Sequence, residues 1–162
     1  MEETQQSDSL EVLRRKLDLL LRTGQLLMES SADTSRIIRN MDRTAAYLGL
    51  PEKKLHIHIT YNMLMVNLSD KTHSFSKFQR CDRHGINMDA ISAISKLSWR
   101  AIKEDYTLDQ YEKELERIKN KKRNYSPWLT AIGAGLACGG FCVQFGCDWP
   151  AFIYSSIAAI AG

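Results

Sequence analysis

The chain has 162 residues, 25% of them charged, with a formal net charge of +3 and a sequence pI near 8.7. That length holds one ordinary domain with a real core and excludes two full ones. Mild basicity indicates nucleic acid only where cations and aromatic rings share a patch, and four cysteines without a CxxC pair form no recognisable zinc framework, so no nucleic-acid partner, metal or cofactor is expected.

Residues 1–8 are polar and aperiodic, which predicts a flexible tail ahead of a domain over residues 9–125. From there Leu13, Leu17, Leu20, Leu21, Gly24, Leu27 and Met28 recur at three and four residues, the period of one helix face, with Arg14, Arg15, Asp18 and Arg22 opposite. Those same charges, and the lack of a small-residue cleavage site, argue against a signal peptide. Ser30, three residues before Asp33, signals the start of a second helix. Its inner stripe is Ile37, Ile38, Met41, Ala45 and Leu48, and Gly49 with Pro51 stops it.

The period then changes to two. Leu55, Ile57, Ile59 and Tyr61 alternate with Lys54, His56, His58 and Thr60, the pattern of a half-buried strand. Leu64, Val66 and Leu68 make a second strand, and after a turn at Ser69, Asp70 and Lys71 a weaker third covers residues 74–79. Asn87 opens a third helix striped by Ile91, Ile94, Leu97, Ala101 and Ile102. Thr107 and Gln110 form a capping box for a fourth, striped by Leu108, Tyr111, Leu115 and Ile118. The order ααβββαα with a small antiparallel sheet is an α+β domain.

A mean hydropathy of -0.32 hides a sharp segregation. From Ser126 onward Asp148 is the only charged side chain, and the basic run Lys119, Lys121, Lys122 and Arg123 comes just before. Basic flanks belong on the cytoplasmic side of membrane helices, so the N-terminal domain is expected in the cytoplasm. Residues 127–162 are read as a membrane region: a transmembrane helix over 128–146, then the start of a second over 151–162, inside which the chain ends. Gly135 with Gly139, and Gly133 with Ala137, put small residues at four-residue spacing, as close helix packing requires.

Few residues invite chemistry. His56 and His58 share a strand face but have no third ligand nearby, so an exposed polar face is the preferred reading. Cys81, Asp82 and His84 stand too close in sequence to form a nucleophile and base by the usual convergence through the fold, so no catalytic residue is assigned. Glu29, Asp33, Arg36 and Arg39 gather at a helix start, where capping and surface ion pairs account for them. Gln144 and Asp148 lie within and at the end of the apolar stretch, where a polar group is either a substrate or proton site or a solvated turn residue; both readings stand.

Four stretches together resemble the threonine/serine exporter family, which also includes the small subunit of a two-component succinate exporter. They are Glu29-Ser-Ser-Ala-Asp33-Thr34-Ser-Arg36, Arg83-His-Gly-Ile-Asn87-Met-Asp89, the helix from Thr107 to Leu115, and the glycine-rich run from Ala134 to Gly146. The resemblance implies an exporter of small polar metabolites in a bacterial inner membrane, driven by the proton gradient. It also implies a second membrane domain or subunit as partner, contact with the lipid bilayer and an oligomer. The substrate path would run past Gly139, Gly140, Gln144, Gly146 and Asp148, with Glu29, Asp33, Thr34, Arg36, Arg83 and Asn87 as family motif residues. An alternative is a cytoplasmic regulatory or assembly module that senses the metabolite or docks the partner; a membrane-tethered hydrolase ranks last.

Overall fold

A computed structural model describes residues 2–69, 74–82, 85–121 and 126–161, with the side chains of residues 2–9 and 52 excepted. Two compact units divide after Asn120. In the first, α1 (Glu2–Glu29) and α2 (Thr34–Tyr47) precede strands β1 (Leu55–Ile59), β2 (Met63–Ser69) and β3 (Ser74–Arg80), followed by α3 (Met88–Lys103) and α4 (Leu108–Asn120). The second holds α5 (Pro127–Gln144) and α6 (Trp149–Ala161). Helical backbone thus reaches into the stretch 1–8 expected as a tail, because Glu and Gln are good helix formers and no Gly or Pro interrupts them.

The central element is α1, which touches α2, α3, α4, β2 and β3. Leu17, Leu19, Leu20 and Leu21 are consequently all buried, more than one stripe can supply. Its polar residues are used as well. Arg15 pairs with Asp109 and, at 2.9 Å, with Glu112; Arg22 pairs with Glu112 at 3.0 Å; Asp18 pairs with Lys77. The face expected to point at water therefore meets α4 and β3, though exposed pairs of this kind contribute at most about 1 kcal/mol each.

The sheet is antiparallel in the order β1-β2-β3. Its register sets Ile57 against Val66 and Ile59 against Leu64 on the covered face, with His56 against Asn67 and His58 against Met65 on the other. That alternation is what a one-sided sheet requires. The fourth helix joins the core through Tyr111, which is fully buried. Its hydroxyl lies 3.1 Å from both Thr23 Oγ1 and Thr44 Oγ1, and its ring stacks on Tyr47 with centroids 5.1 Å apart. One side chain thereby links α1, α2 and α4.

In the second unit Ser126 caps α5, accepting from the Leu129 amide at 3.3 Å, and Pro127 takes the first turn where no amide is needed. Gly146, at φ +81, ends it, with the Gly146 and Cys147 amides donating to the Val143 and Cys142 carbonyls at 2.9 and 3.1 Å. The chain then folds back as α6. A Cβ on Gly139 would lie 2.3 Å from Ser156 Oγ, and one on Gly135 would lie 2.9 Å from the Ser156 carbonyl oxygen, so these glycines permit the close crossing.

The expectation of transmembrane helices is overturned: among the described residues no helix is long and apolar enough to cross a membrane. The 18 residues of α5 rise about 27 Å, short of the roughly 30 Å hydrocarbon core. Pro127 and Trp128 at one end, Gln144 at the other and four glycines between them also dilute its apolar character. The 13 residues of α6 reach only about 20 Å.

Candidate functional site

The sequence motifs around the first helix junction converge in space. Ser31 turns the chain out of α1 with a left-handed φ of +59, an uncommon conformation for a residue with a Cβ. Asp33 then caps α2, its Oδ1 accepting from the Arg36 amide at 3.1 Å; the cap is the acid itself and not Ser30. Asn87 caps α3 in the same way, accepting from the Ala90 amide at 3.1 Å. The end of α1 and the segment leading into α3 are stitched together by main chain: the Gly85 amide donates to the Glu29 carbonyl at 2.9 Å and the Asn87 amide to the Ser30 carbonyl at 3.2 Å. Glu29 itself accepts from Gln25 Nε2 at 2.8 Å.

Glu29, Asp33, Thr34 and Asn87 thus build one corner of the fold, while Arg83 and His84 lie outside the described residues. Arg36 is shared. It pairs with Asp33 at 3.7 Å and also lines a groove between α2 and α3.

That groove encloses about 690 Å³ and is formed by Arg36, Arg39, Asn40, Asp42 and Arg43 on one wall and Met88, Ile91, Ser92, Ser95 and Trp99 on the other. Three arginines at positions i, i+3 and i+7 lie on one helix face. Arg43 is the most constrained. Its Nη2 donates to Asn40 Oδ1 at 2.6 Å and to Ser95 Oγ at 3.3 Å, and its guanidinium sits 4.8 Å from the centre of the Trp99 ring, a cation–π contact. Asn40 is buried and donates in turn to the Arg36 carbonyl at 2.8 Å. Burial first, and then the charge of Arg39, push the Arg43 pKa downward. The groove can recognise a planar acidic group by paired hydrogen bonds. The sequence reading singled out Arg36 and Arg39 but missed Arg43 and Trp99; the available signal was the i, i+3, i+7 spacing of arginines on α2.

Cys81 is fully buried, with Sγ 3.7 Å from Met28 Sδ. Burial, with smaller contributions from Glu29 and Asp82, pushes its thiol up to about 11. A protonated thiol is a poor nucleophile. The same shift predicts alkaline destabilisation. Between pH near 8.5, where an unfolded thiol ionises, and about 11 the unfolded chain releases a proton that the folded chain keeps, so stability that is full at pH 7 falls as pH rises. Burial raises Tyr111 and Tyr47 as well, extending the loss above pH 10. Urea midpoints at pH 7 and pH 10 check this: Cys81→Ala should lose less between them than the parent chain, and equal losses would remove Cys81 from the account.

The positions expected along a substrate path, Gly139, Gly140, Gln144, Gly146 and Asp148, all belong to the second unit. Gly139 lies beneath α6, whereas Gly140 and Gly146 have open space where a Cβ would stand. Gln144 and Asp148 are exposed, the latter with its carbonyl accepting from the Phe152 amide at 3.1 Å. His56 and His58 are exposed on the outer sheet face, and no cluster of three metal-binding side chains occurs among the described residues.

A family model described as "Putative threonine/serine exporter" matches residues 18–162, spanning both units. No curated protein and no solved structure matches the chain.

Proposed function

The chain belongs to the threonine/serine exporter family, and on that premise we propose that it forms the N-terminal part, or one subunit, of a proton-driven inner-membrane exporter of small polar metabolites. Threonine and serine are the first substrates to consider, with dicarboxylates such as succinate next. The observation that carries this reading is the family match across both the polar first unit and the apolar hairpin.

The hairpin supports an assembled state. Trp128, Leu136, Phe141, Phe145, Trp149 and Tyr154 are each more than half exposed, and in α6 no residue is buried. A contiguous apolar surface of this kind marks a contact with another apolar phase or protein. A second membrane component of the exporter is the partner we assign to it. In this reading the first unit lies on the cytoplasmic side, where the basic Lys119 and Lys121 at the boundary between the units belong.

Efflux measured from cells carrying the complete gene and its membrane partner, against a deletion strain, tests the proposal with threonine, serine and succinate. Substrate-specific efflux that collapses when the proton gradient is dissipated is the expected result. Identical efflux with and without the gene for all three would overturn it.

A further inference from the structure

We propose that the α2–α3 groove binds a phosphorylated compound with a planar ring, of the nucleoside phosphate class, its phosphate held by Arg36, Arg39 and Arg43 and its ring lying against Trp99. The site is independent of the export reading and lies wholly within the first unit.

Charge balance separates this groove from another on the same unit. That groove, about 470 Å³, sets Arg14, Arg15 and Arg22 against Glu11, Asp18 and Glu112, so its charges match. Among the described residues the α2–α3 groove is lined by three arginines and one acid, Asp42, which stands on the arginines' own helix, and Arg36 also pairs with Asp33. Like charges four residues apart on a helix repel, and Arg39 and Arg43 are spaced in that way; among the described residues Arg39 has no ion pair. Arg43 Nε is, in addition, buried without an acceptor. An anionic oxygen entering the groove relieves the repulsion between Arg39 and Arg43. Guanidinium groups favour phosphate and carboxylate by fork geometry, and Ser92 and Ser95 add hydroxyl donors on the facing wall.

Size and the opposite wall select among anions. A volume near 690 Å³ falls within the roughly 300–1,000 Å³ of pockets that hold drug-sized ligands. It exceeds what inorganic phosphate, or a single amino acid, fills. Trp99 is 59% exposed and Met88 64% exposed at this groove, with the Arg43 guanidinium over the Trp99 ring, so a flat ligand can lie on the part of the indole left open. Bases stack favourably on aromatic side chains in nucleic-acid complexes, whereas threonine, serine or succinate has no ring to place there.

Calorimetric titration of the full chain in detergent micelles with AMP, ATP, inorganic phosphate, threonine, serine and succinate tests the assignment. Arg39→Gln, Trp99→Ala and Arg14→Gln are compared; Arg39, Trp99 and Arg14 are surface residues, so the fold is retained. Saturable binding of AMP or ATP, weakened at least tenfold by Arg39→Gln, at least threefold by Trp99→Ala and unchanged by Arg14→Gln, is the expected result. Inorganic phosphate should bind more weakly and be insensitive to Trp99→Ala. Three outcomes overturn the proposal: no nucleotide binding at 10 mM, on the order of the weakest useful affinity; equal affinity for phosphate and nucleotide; or tight binding of threonine, serine or succinate in the groove with none of nucleotide.

Discussion

Replacing Tyr111 by alanine lowers the stability of the first unit by about 3–5 kcal/mol, the range for removing a large buried aromatic side chain. The ring is fully buried and stacked on Tyr47, so truncation opens a cavity where α1, α2 and α4 meet. Tyr111→Phe should cost only about 1 kcal/mol. The reason lies in the hydroxyl network. Thr23 Oγ1 donates to the Leu19 carbonyl at 2.8 Å and Thr44 Oγ1 to the Asn40 carbonyl at 2.9 Å, so both threonine protons are committed and the tyrosine's single proton is shared between the two threonine oxygens. Its loss leaves each threonine with a partner. Urea unfolding followed by circular dichroism measures the pair, and similar losses for the two substitutions would show that the hydroxyl, not the ring, dominates.

The four glycines of α5 should respond to alanine with opposite signs. At Gly135 a methyl group meets Ile160 Cγ1 at 2.6 Å and the Ser156 carbonyl oxygen at 2.9 Å; at Gly139 it meets Ser156 Oγ at 2.3 Å and Phe152 ring carbons at 2.6 and 2.8 Å. Main chain and an aromatic ring yield poorly, so each substitution costs about 1–3 kcal/mol by overpacking and forces α6 away. At Gly133 and Gly140 nothing lies within 4 Å. There alanine should stabilise the helix by up to about 1 kcal/mol. Thermal melting of the full chain and efflux from cells at matched expression read the two pairs. Loss of both signals for Gly135→Ala and Gly139→Ala, with both retained for Gly133→Ala and Gly140→Ala, is expected; a uniform response of all four would mean that the hairpin crossing is not what these glycines serve.

Much of the first unit is legible in one dimension because its signals are local. A cap such as Asn87, or the Thr107 and Gln110 pair that exchanges hydrogen bonds at 3.3 and 2.9 Å, acts within a single helical turn. Period-two alternation places Leu64 and Val66 inward whatever the partner strand is. The role of α1 was not legible in this way. Its charged face reads as solvated until α4 and β3 are known to approach it, and only then do Arg15, Arg22 and Asp18 acquire partners.

The apolar end of the chain was legible in character but not in extent. Absence of charge marks residues from Ser126 onward as unlike the rest, yet helix length depends on where caps fall. Gly146 in a left-handed conformation stops α5 after Gln144, which leaves it too short and too polar at its ends to cross a membrane.

The order of the elements, most of their caps and the segregation of a polar unit from an apolar hairpin follow from local spacing, since each depends on residues a few positions apart. Which charges are balanced depends on how the helices pack. The arginines of α1 and those of α2 look alike in the chain; the first group faces the carboxylates of α4, while the second faces serines and a tryptophan across a groove. Electrostatic energy depends on distance in space and on the solvent displaced, and neither is written in the spacing of residues along a chain.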